Sequence, residues 1–200
     1  SDFNSRDNNL TMLNKYICLE KLAARRKDEI IITNMGIAKP WENLSDGPFD
    51  FASVDSGMGH AADLAHGLAI AQPDRRVITL NGDGSMLMCL GTLVTVAQQP
   101  VDNYALVIIE NGTYEITGNQ FVPGAGKINY ETIARGAGIE AVYTVTEDSD
   151  FDHKLDLLFE GKGPLVFVWK VDQANEPVPN FQLPLWERAH RLRKTLVENA

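Results

Sequence analysis

The sequence predicts an α/β protein with three layers, α/β/α, in which helices cover both faces of a mostly parallel central sheet of about six strands. Apolar runs alternate with segments of helical period along the chain. Most of these runs lack a period-two alternation, as is typical of strands buried on both faces of a parallel sheet. The length of 200 residues suits one domain. We therefore expect a single domain over residues 10–200, preceded by a polar, disordered leader at 1–9 that has no apolar signal core.

Apolar periodicity and turn residues place the individual elements. Continuous apolar runs predict buried strands, in chain order, at 29–33, 77–80, 104–109, 141–145 and 164–171. Apolar residues at close to the helical period predict helices at 10–26, 59–71, 85–98, 130–136, 151–159 and 185–198. Prolines and glycines predict a loop at 34–48, and glycines predict another at 111–127. The run 49–54 is a poor strand, because Asp50 and Ser53 interrupt its apolar residues.

Composition excludes several classes of function. The net charge of −9 and the pI near 4.9 argue against a nucleic-acid partner, since phosphate binding needs clustered Lys and Arg. The short basic runs at 25–27 and 188–194 are interpreted as solvated helix faces. No apolar stretch is long enough for a membrane span. The two cysteines, Cys18 and Cys89, are too few and too far apart in sequence for a disulfide scaffold or a structural zinc site. We expect a cytoplasmic protein.

Two oxygen-bearing residues follow neighbouring predicted strands. Asp83 comes after the run 77–80, and Asn111 comes after 104–109. The 27 residues between them are enough for one helix and a crossover to a parallel neighbour. Open α/β sheets bind ligands at the carboxyl ends of their strands. A carboxylate and an amide oxygen held side by side suit Mg²⁺, which keeps its other positions for water and phosphate oxygens.

The segment Gly82-Asp83-Gly84-Ser85 favours a phosphate ligand beside that metal. Glycines on both sides of the Asp let the backbone turn sharply and approach a ligand closely. Ser85 begins the next predicted helix. Because helix N-termini attract anions, a diphosphate is the expected ligand. The alternative is a plain strand–turn–helix junction with Asp83 as the helix cap.

A competing motif lies upstream. Gly57, Gly59 and Ala62 fit the loose dinucleotide pattern G-x-G-x-x-G/A. The segment before them is a poor strand, and a nicotinamide site would leave the metal pair downstream unused. We rank this interpretation below the metal–diphosphate one.

The combined motifs resemble a known family. Gly82-Asp83-Gly84, followed after 27 residues by Asn111-Gly112-Thr113-Tyr114, is similar to the thiamine diphosphate motif of the 2-oxoacid decarboxylase superfamily. The segments 56–61 and 117–120 narrow the resemblance to the diphosphate-binding domain of phosphonopyruvate and sulfopyruvate decarboxylases, the latter often split into two subunits. The resemblance covers roughly residues 29–170 and implies the thiamine diphosphate-binding fold, with thiamine diphosphate and Mg²⁺ as cofactors.

The resemblance also implies the roles of particular residues. Asp83, the side chain of Asn111 and the backbone carbonyl of Thr113 would hold Mg²⁺. Met58 would be the apolar wedge under the bent cofactor. The other residues implied to bind the cofactor are Gly36, Ile37, Ala38, Gly57, Gly82, Gly84, Ser85 and Tyr114.

The sequence departs from the family pattern at three places. Glu110 stands where relatives commonly have a first Asn, and Glu115 stands where they commonly have a small residue. We treat Glu115 and His60 as candidate catalytic residues, since His60 lies two positions after Met58. Either side chain could instead be structural. An Arg-Glu pair, typical of these decarboxylases after the first strand, is replaced by the stretch 38–42, in which Lys39 offers charge without a bidentate fork.

Half of an active site is missing from the expected domain. In the family the cofactor is activated by a Glu from a separate pyrimidine-binding domain of about 170 residues, for which this chain has no room. The leading hypothesis is therefore the metal- and diphosphate-binding subunit of a heteromeric decarboxylase of a small 2-oxoacid. A pyrimidine-binding α subunit would complete it as an α₂β₂ or larger assembly, or at least a homodimer.

Three alternatives stay open at this point. One is a carboligase or synthase subunit of the same superfamily. Another is a 2-oxoacid:ferredoxin oxidoreductase subunit, which would normally carry clustered cysteines for an iron–sulfur centre. The third is a non-catalytic regulatory subunit that has kept the fold.

Overall fold

Six parallel strands form the central sheet of the computed structural model, which describes residues 12–52, 58–173 and 180–199. The strands in chain order are β1 (Ile30–Thr33), β2 (Asp50–Ala52), β3 (Val77–Gly82), β4 (Tyr104–Glu110), β5 (Thr113–Tyr114), β6 (Gln120–Phe121), β7 (Ala141–Val145) and β8 (Leu165–Lys170). The sheet order is β2-β1-β3-β4-β8-β7, and every neighbouring pair is parallel. Apart from residues at their ends, β1, β3, β4 and β8 are buried throughout, which explains why their sequences do not alternate.

Helices cover both faces of this sheet. They are α1 (Lys15–Arg25), α2 (Met35–Leu44), α3 (Ala61–Ala71), α4 (Asp83–Met88), α5 (Gly91–Gln98), α6 (Tyr130–Gly136), α7 (Asp148–Glu160) and α8 (Leu185–Glu198). The apolar residues of α1, α2 and α7 form one buried cluster with the sheet. Those of α3, α4, α5, α6 and α8 form a second buried cluster on the opposite face. The predicted three-layer α/β/α class with about six strands is confirmed.

The order of the strands places a crevice beside β1. The chain leaves β1 through α2 to the edge strand β2, and then returns through α3 to β3 on the other side of β1. The strand order therefore reverses between β1 and β3. Ligands of open α/β sheets bind in the crevice at such a reversal, outside the carboxyl ends of the strands. Asn34 and Asp83, the first residues after β1 and β3, lie at this point.

One predicted loop is a helix, so the prediction for 34–48 was wrong over most of its length. Residues Met35–Leu44 form α2 although Pro40 lies inside it. A proline there removes one backbone hydrogen bond and strains the preceding turn. Ile37, Ala38 and Trp41 are nonetheless fully or almost fully buried on one side of the helix. Tertiary packing of this face outweighs the local preference of the proline.

Three smaller differences concern element boundaries. The predicted helix 85–98 is two helices, α4 and α5, which separate at Cys89 before Gly91. The poor strand at 49–54 does contribute a short edge strand, β2. The glycine-rich loop 111–127 contains the hairpin of β5 and β6, joined through a short 3₁₀ turn.

Some expectations fall on residues that the structure does not describe. The leader at 1–9, the first residues of the helix at 10–26, and Gly57 lie outside the described residues. The single domain over 10–200 stays a prediction. Within the described ranges, no helix has the length and apolar character needed to cross a bilayer.

Candidate functional site

A cleft at the carboxyl ends of β1, β3 and β4 brings together most of the residues predicted for the site. Those that line it are Gly36, Ile37, Met58, Gly82, Asp83, Gly84, Ser85, Asn111, Thr113, Tyr114 and Glu115. Ala38 lies on α2 but is fully buried in the core and does not line the cleft. The juxtaposition follows from the register of β3 and β4, in which Gly82 pairs with Ile109.

At the bottom of the cleft, Asp83 links the start of α4 to the loop after β4. Its carboxylate accepts a hydrogen bond of 2.8 Å from the backbone N–H of Gly84 and another of 2.8 Å from that of Gly112. The side chain is almost fully buried, and this burial raises the pKa of the Asp83 carboxyl to about 6, although the two backbone donors act to lower it. Among the described residues no cationic side chain forms an ion pair with Asp83. A divalent cation would supply the missing positive charge.

The amide of Asn111 is held at both ends. Its Oδ1 accepts a 2.9 Å hydrogen bond from the backbone N–H of Thr113, and its Nδ2 donates to Glu115 Oε1 over 2.7 Å. A carbonyl oxygen has two lone pairs, so Oδ1 can accept this bond and still contact a cation. The atom suited to a metal is thus separated from the end of the amide that faces Glu115.

A buried ion pair that the sequence did not reveal forms one wall of the cleft. The Lys15 ammonium lies 2.8 and 2.7 Å from the two carboxylate oxygens of Glu115. The side chains are only 2% and 16% exposed. Lys15 begins α1, a hundred residues away in sequence, and nothing in the pattern of that helix distinguishes it from a solvated lysine.

Asn34 and Ser85 form a second polar pair at the end of β1. The Asn34 amide donates to Ser85 Oγ over 2.6 Å, and the same oxygen accepts the backbone N–H of Gly59 over 2.7 Å. Asn34 Oδ1 is buried and has no hydrogen-bond partner among the described residues. Because an unpaired buried oxygen is costly, it marks a place where a bound group would be favoured. Asn34 directly follows a buried strand, which is the same signal that identified Asp83.

The backbone beside these groups leaves no room for side chains. A Cβ atom on Gly84 would lie 2.4 Å from Cε1 of the Tyr114 ring, and one on Gly36 would lie 2.7 Å from Glu115 Oε2. Met35, which follows Asn34, has φ +47°, a conformation uncommon for a residue with a side chain. Such strain is often found where a loop is shaped for a ligand. The buried carboxylate and these glycines together fit a metal-bound anionic group, whereas the Asn34 oxygen, which only accepts, would suit a hydrogen-bond donor of the bound molecule.

The two candidate catalytic residues lie in different places. Glu115 lines the cleft in its ion pair with Lys15. The His60 side chain is 65% exposed, bonds Asp63 Oδ2 over 2.7 Å, and lies 3.6 Å from Cys89 Sγ. It does not line the cleft among the described residues. Lining residues that sequence reasoning missed are Lys15, Asn34, Met35, Met88, Ile109, Ile116 and Thr117.

Comparison with known proteins identifies the family of this chain. Residues 46–168, more than half of the chain, match the family described as thiamine pyrophosphate enzyme, C-terminal TPP binding domain. The chain is 31% identical over 185 residues to the sulfopyruvate decarboxylase subunit beta of Methanococcus maripaludis, covering 92% of this chain and 98% of that protein.

Two longer proteins match the chain over part of their length. The sulfopyruvate decarboxylase of Methanosarcina acetivorans is 29% identical over 185 residues, which are 92% of this chain and 46% of that protein. The crystal structure of benzoylformate decarboxylase from Polynucleobacter necessarius superposes with a TM-score of 0.72 at 20% identity, covering 89% of this chain and 36% of that chain. The chain belongs to the thiamine pyrophosphate enzymes and carries their C-terminal cofactor-binding domain.

Proposed function

We propose that this chain is the metal- and diphosphate-binding subunit of a heteromeric, thiamine diphosphate-dependent decarboxylase that acts on a small 2-oxoacid. The observation that carries the proposal is the 2.8 Å hydrogen bond from the Gly112 N–H to Asp83, which holds the loop after β4 against the start of α4, directly after β3. The relatives of this chain include sulfopyruvate and phosphonopyruvate decarboxylases, which supports the proposed reaction.

The metal ligands of the proposal are Asp83, the amide oxygen of Asn111 and the backbone carbonyl of Thr113. These are hard oxygen ligands, which Mg²⁺ prefers, and few enough to leave positions for phosphate oxygens and water. The Ser85 hydroxyl accepts two hydrogen bonds and therefore has its proton free to donate to a diphosphate. Gly36, Ile37, Gly82, Gly84 and Tyr114 line the rest of this pocket. Ala38 would act only through the packing of α2, and Gly57 lies outside the described residues.

The apolar side chains of the cleft would contact the cofactor and exclude water. Bound thiamine diphosphate supplies an electron sink for the carbanion that remains after loss of CO₂. Met58 is 45% exposed and lines the cleft, which suits an apolar surface against which a cofactor folds. Ile109 and Ile116 also line the cleft and would help to exclude water from it. A drier site strengthens the electrostatic interactions within it.

The substrate class that we propose is narrower than 2-oxoacids in general. The relatives named above act on pyruvates that carry a second acidic group. Lys39, the one cation that sequence reasoning offered for such a group, bonds Asn180 Oδ1 over 2.8 Å and does not line the cleft. Lys15, the one cation that lines the cleft among the described residues, is already paired with Glu115, so a cation for the second acidic group would come from the partner subunit.

A second chain completes the proposed enzyme. The relative from M. maripaludis is named as a subunit, and this chain spans only 46% of the longer relative from M. acetivorans. We propose that a pyrimidine-binding α subunit supplies the activating Glu across the subunit interface, in an α₂β₂ or larger assembly. A cytoplasmic location is part of the proposal, supported by the two cysteines, which are both free.

The test is calorimetry of thiamine diphosphate with Mg²⁺ on the purified pair of subunits. Asp83→Ala is expected to abolish measurable Mg²⁺-dependent binding. Asp102→Ala is the matched control, because this exposed Asp only pairs with Lys162 across 3.2 Å at the surface. Undiminished affinity in Asp83→Ala would remove the metal assignment, and decarboxylation by this chain alone would refute the split site. Release of a carboligation product from two 2-oxoacids would instead identify a synthase subunit.

A further inference from the structure

Three side chains form a continuous chain of contacts from helix α1 to the proposed metal site. Lys15 Nζ bonds both oxygens of Glu115, and Glu115 Oε1 accepts the N–H of Asn111 Nδ2 over 2.7 Å. Lys15 lies outside the part of the chain that matches the family. Neither it nor Glu115 was placed among the metal ligands above.

We infer that Lys15 and Glu115 are a positioning pair, which fixes the amide of Asn111 with its oxygen toward the metal and its nitrogen away from it. The inference rests on the proposed function, because it concerns the same metal site. It assigns to Glu115 a role in orienting a ligand and brings the N-terminal helix into the cofactor site.

The two ends of an amide side chain differ in what they can bind. One end of the Asn111 side chain is an oxygen that can bind a cation, and the other is an NH₂ group that cannot. A carboxylate accepts hydrogen bonds and donates none, so Glu115 attracts only the NH₂ end. The Thr113 N–H, which donates to Oδ1, selects the same orientation from the other side. Partners that orient metal ligands in this way typically contribute 10- to 100-fold to metal affinity.

Lys15 neutralises the Glu115 carboxylate, so that it can lie close to the proposed diphosphate site. An unpaired second carboxylate close to a bound diphosphate would repel it. The ammonium neutralises Glu115 and contacts both of its oxygens, which holds the carboxylate in one orientation. Gly36 provides the space, since a Cβ there would lie 2.7 Å from Glu115 Oε2.

Helix α1 is itself fixed relative to the sheet. The Asn14 side chain caps it by accepting the N–H groups of Tyr16 and Ile17. Just before the cap, Leu13 donates its N–H to the carbonyl of Lys170 over 3.1 Å, at the end of β8. The Lys15 ammonium is therefore supplied from a rigid position, as an orienting group requires.

The test compares two charge-neutral double variants of the assembled enzyme. Lys15→Met/Glu115→Gln keeps an acceptor oxygen at position 115, whereas Lys15→Met/Glu115→Leu has none. Their Mn²⁺ affinity is measured by electron paramagnetic resonance at saturating thiamine diphosphate, and near-ultraviolet circular dichroism checks that both are folded. We expect the Gln variant to stay within about threefold of the unmodified enzyme and the Leu variant to lose about 10- to 100-fold.

A second readout separates orientation from general damage. At saturating Mn²⁺ the Leu variant should recover most of its kcat, because only the occupancy of the metal site has changed. Equal Mn²⁺ affinity in the two double variants, whether both high or both low, would overturn the inference. An Asp83→Asn variant distinguishes failure of the proposed metal site from failure of the positioning role. If its affinity is unchanged the proposed metal site is wrong, and if only Asp83→Asn weakens binding the positioning role alone fails.

Discussion

The backbone N–H of Gly112 donates to Asp83 Oδ2 across 2.8 Å, so the loop after β4 is attached to the first residue after β3. The same carboxylate binds the N–H of Gly84 with its other oxygen. Both bonds favour the charged form of Asp83, yet burial dominates and raises the pKa of the carboxyl to about 6. The protein therefore keeps a carboxylate at this position at neutral pH only at a cost that a bound cation would offset.

Metal binding should depend on pH through this group. A metal requires the deprotonated carboxylate, so Mn²⁺ affinity should be constant above about pH 7 and fall about tenfold per pH unit below about pH 6. In the absence of metal, the sign for stability is the reverse. The folded chain binds a proton below about pH 6 that the unfolded chain binds only near its ordinary value of 3.8, so this group's contribution to stability rises as pH falls between them.

Two measurements check this pH dependence. One is the Mn²⁺ titration from pH 5 to 8. The other is the free energy of urea unfolding without metal, compared between the unmodified chain and Asp83→Asn across the same range. A difference between the two chains that does not change between pH 7 and 5 would contradict the assignment of the raised pKa to Asp83.

A methyl group at Gly84 should disturb the site. Its Cβ would lie 2.4 Å from the Tyr114 ring and 3.0 Å from a methyl carbon of Val122, so Gly84→Ala should cost about 1–3 kcal/mol of unfolding free energy. It should also weaken cofactor binding, because Tyr114 lines the cleft. Gly91→Ala is the matched control, since nothing lies within 4 Å of a Cβ there. That variant should be neutral or more stable by about 0.5–1 kcal/mol in urea unfolding. Equal effects of the two substitutions would show that the close approach of Tyr114 is not needed.

The sheet and the meeting of Asp83 and Asn111 at one cleft could be predicted because both depend on local signals. Buried parallel strands appear as apolar runs, and Asp83 and Asn111 directly follow two of them. Asn34 could have been found by the same rule, since it follows β1. The prolines and glycines of 34–48 predict a loop, in which only Gly36, Ile37 and Ala38 were assigned to the cofactor, so Asn34 was not singled out.

Other parts of the site depend on contacts that local patterns do not contain. Lys15 and Glu115 are a hundred residues apart and meet only because α1 packs against the sheet beside the cleft. His60 was placed in the site because it is close to Met58 in sequence. Gly59 has φ +86°, and beyond this turn the His60 side chain bonds Asp63 outside the cleft lining.

Met58 should matter for turnover more than for stability. Its side chain is 45% exposed, so Met58→Ala should cost less than about 1 kcal/mol of unfolding free energy. The control Met86→Ala removes a fully buried side chain and should cost about 2–5 kcal/mol. If Met58 holds the cofactor in shape, its truncation should lower kcat roughly tenfold or more with folding intact. Unchanged kcat in Met58→Ala would remove the role of wedge.

The Lys15–Glu115 pair should contribute strongly to stability only while both partners are present. Lys15→Met leaves a largely buried carboxylate without its counter-charge and should cost about 3–5 kcal/mol of unfolding free energy. Lys15→Met/Glu115→Leu removes both charges and should restore most of that loss, because well-packed apolar groups replace buried ion pairs at little cost. Lys21→Met on the same helix is the control. Its partner Asp152 is also 2.8 Å away but exposed, so the change should stay below about 1 kcal/mol. Urea unfolding of the unmodified chain and the three variants measures these values. A Lys15→Met variant no less stable than Lys21→Met would show that the Lys15–Glu115 pair is not desolvated in solution.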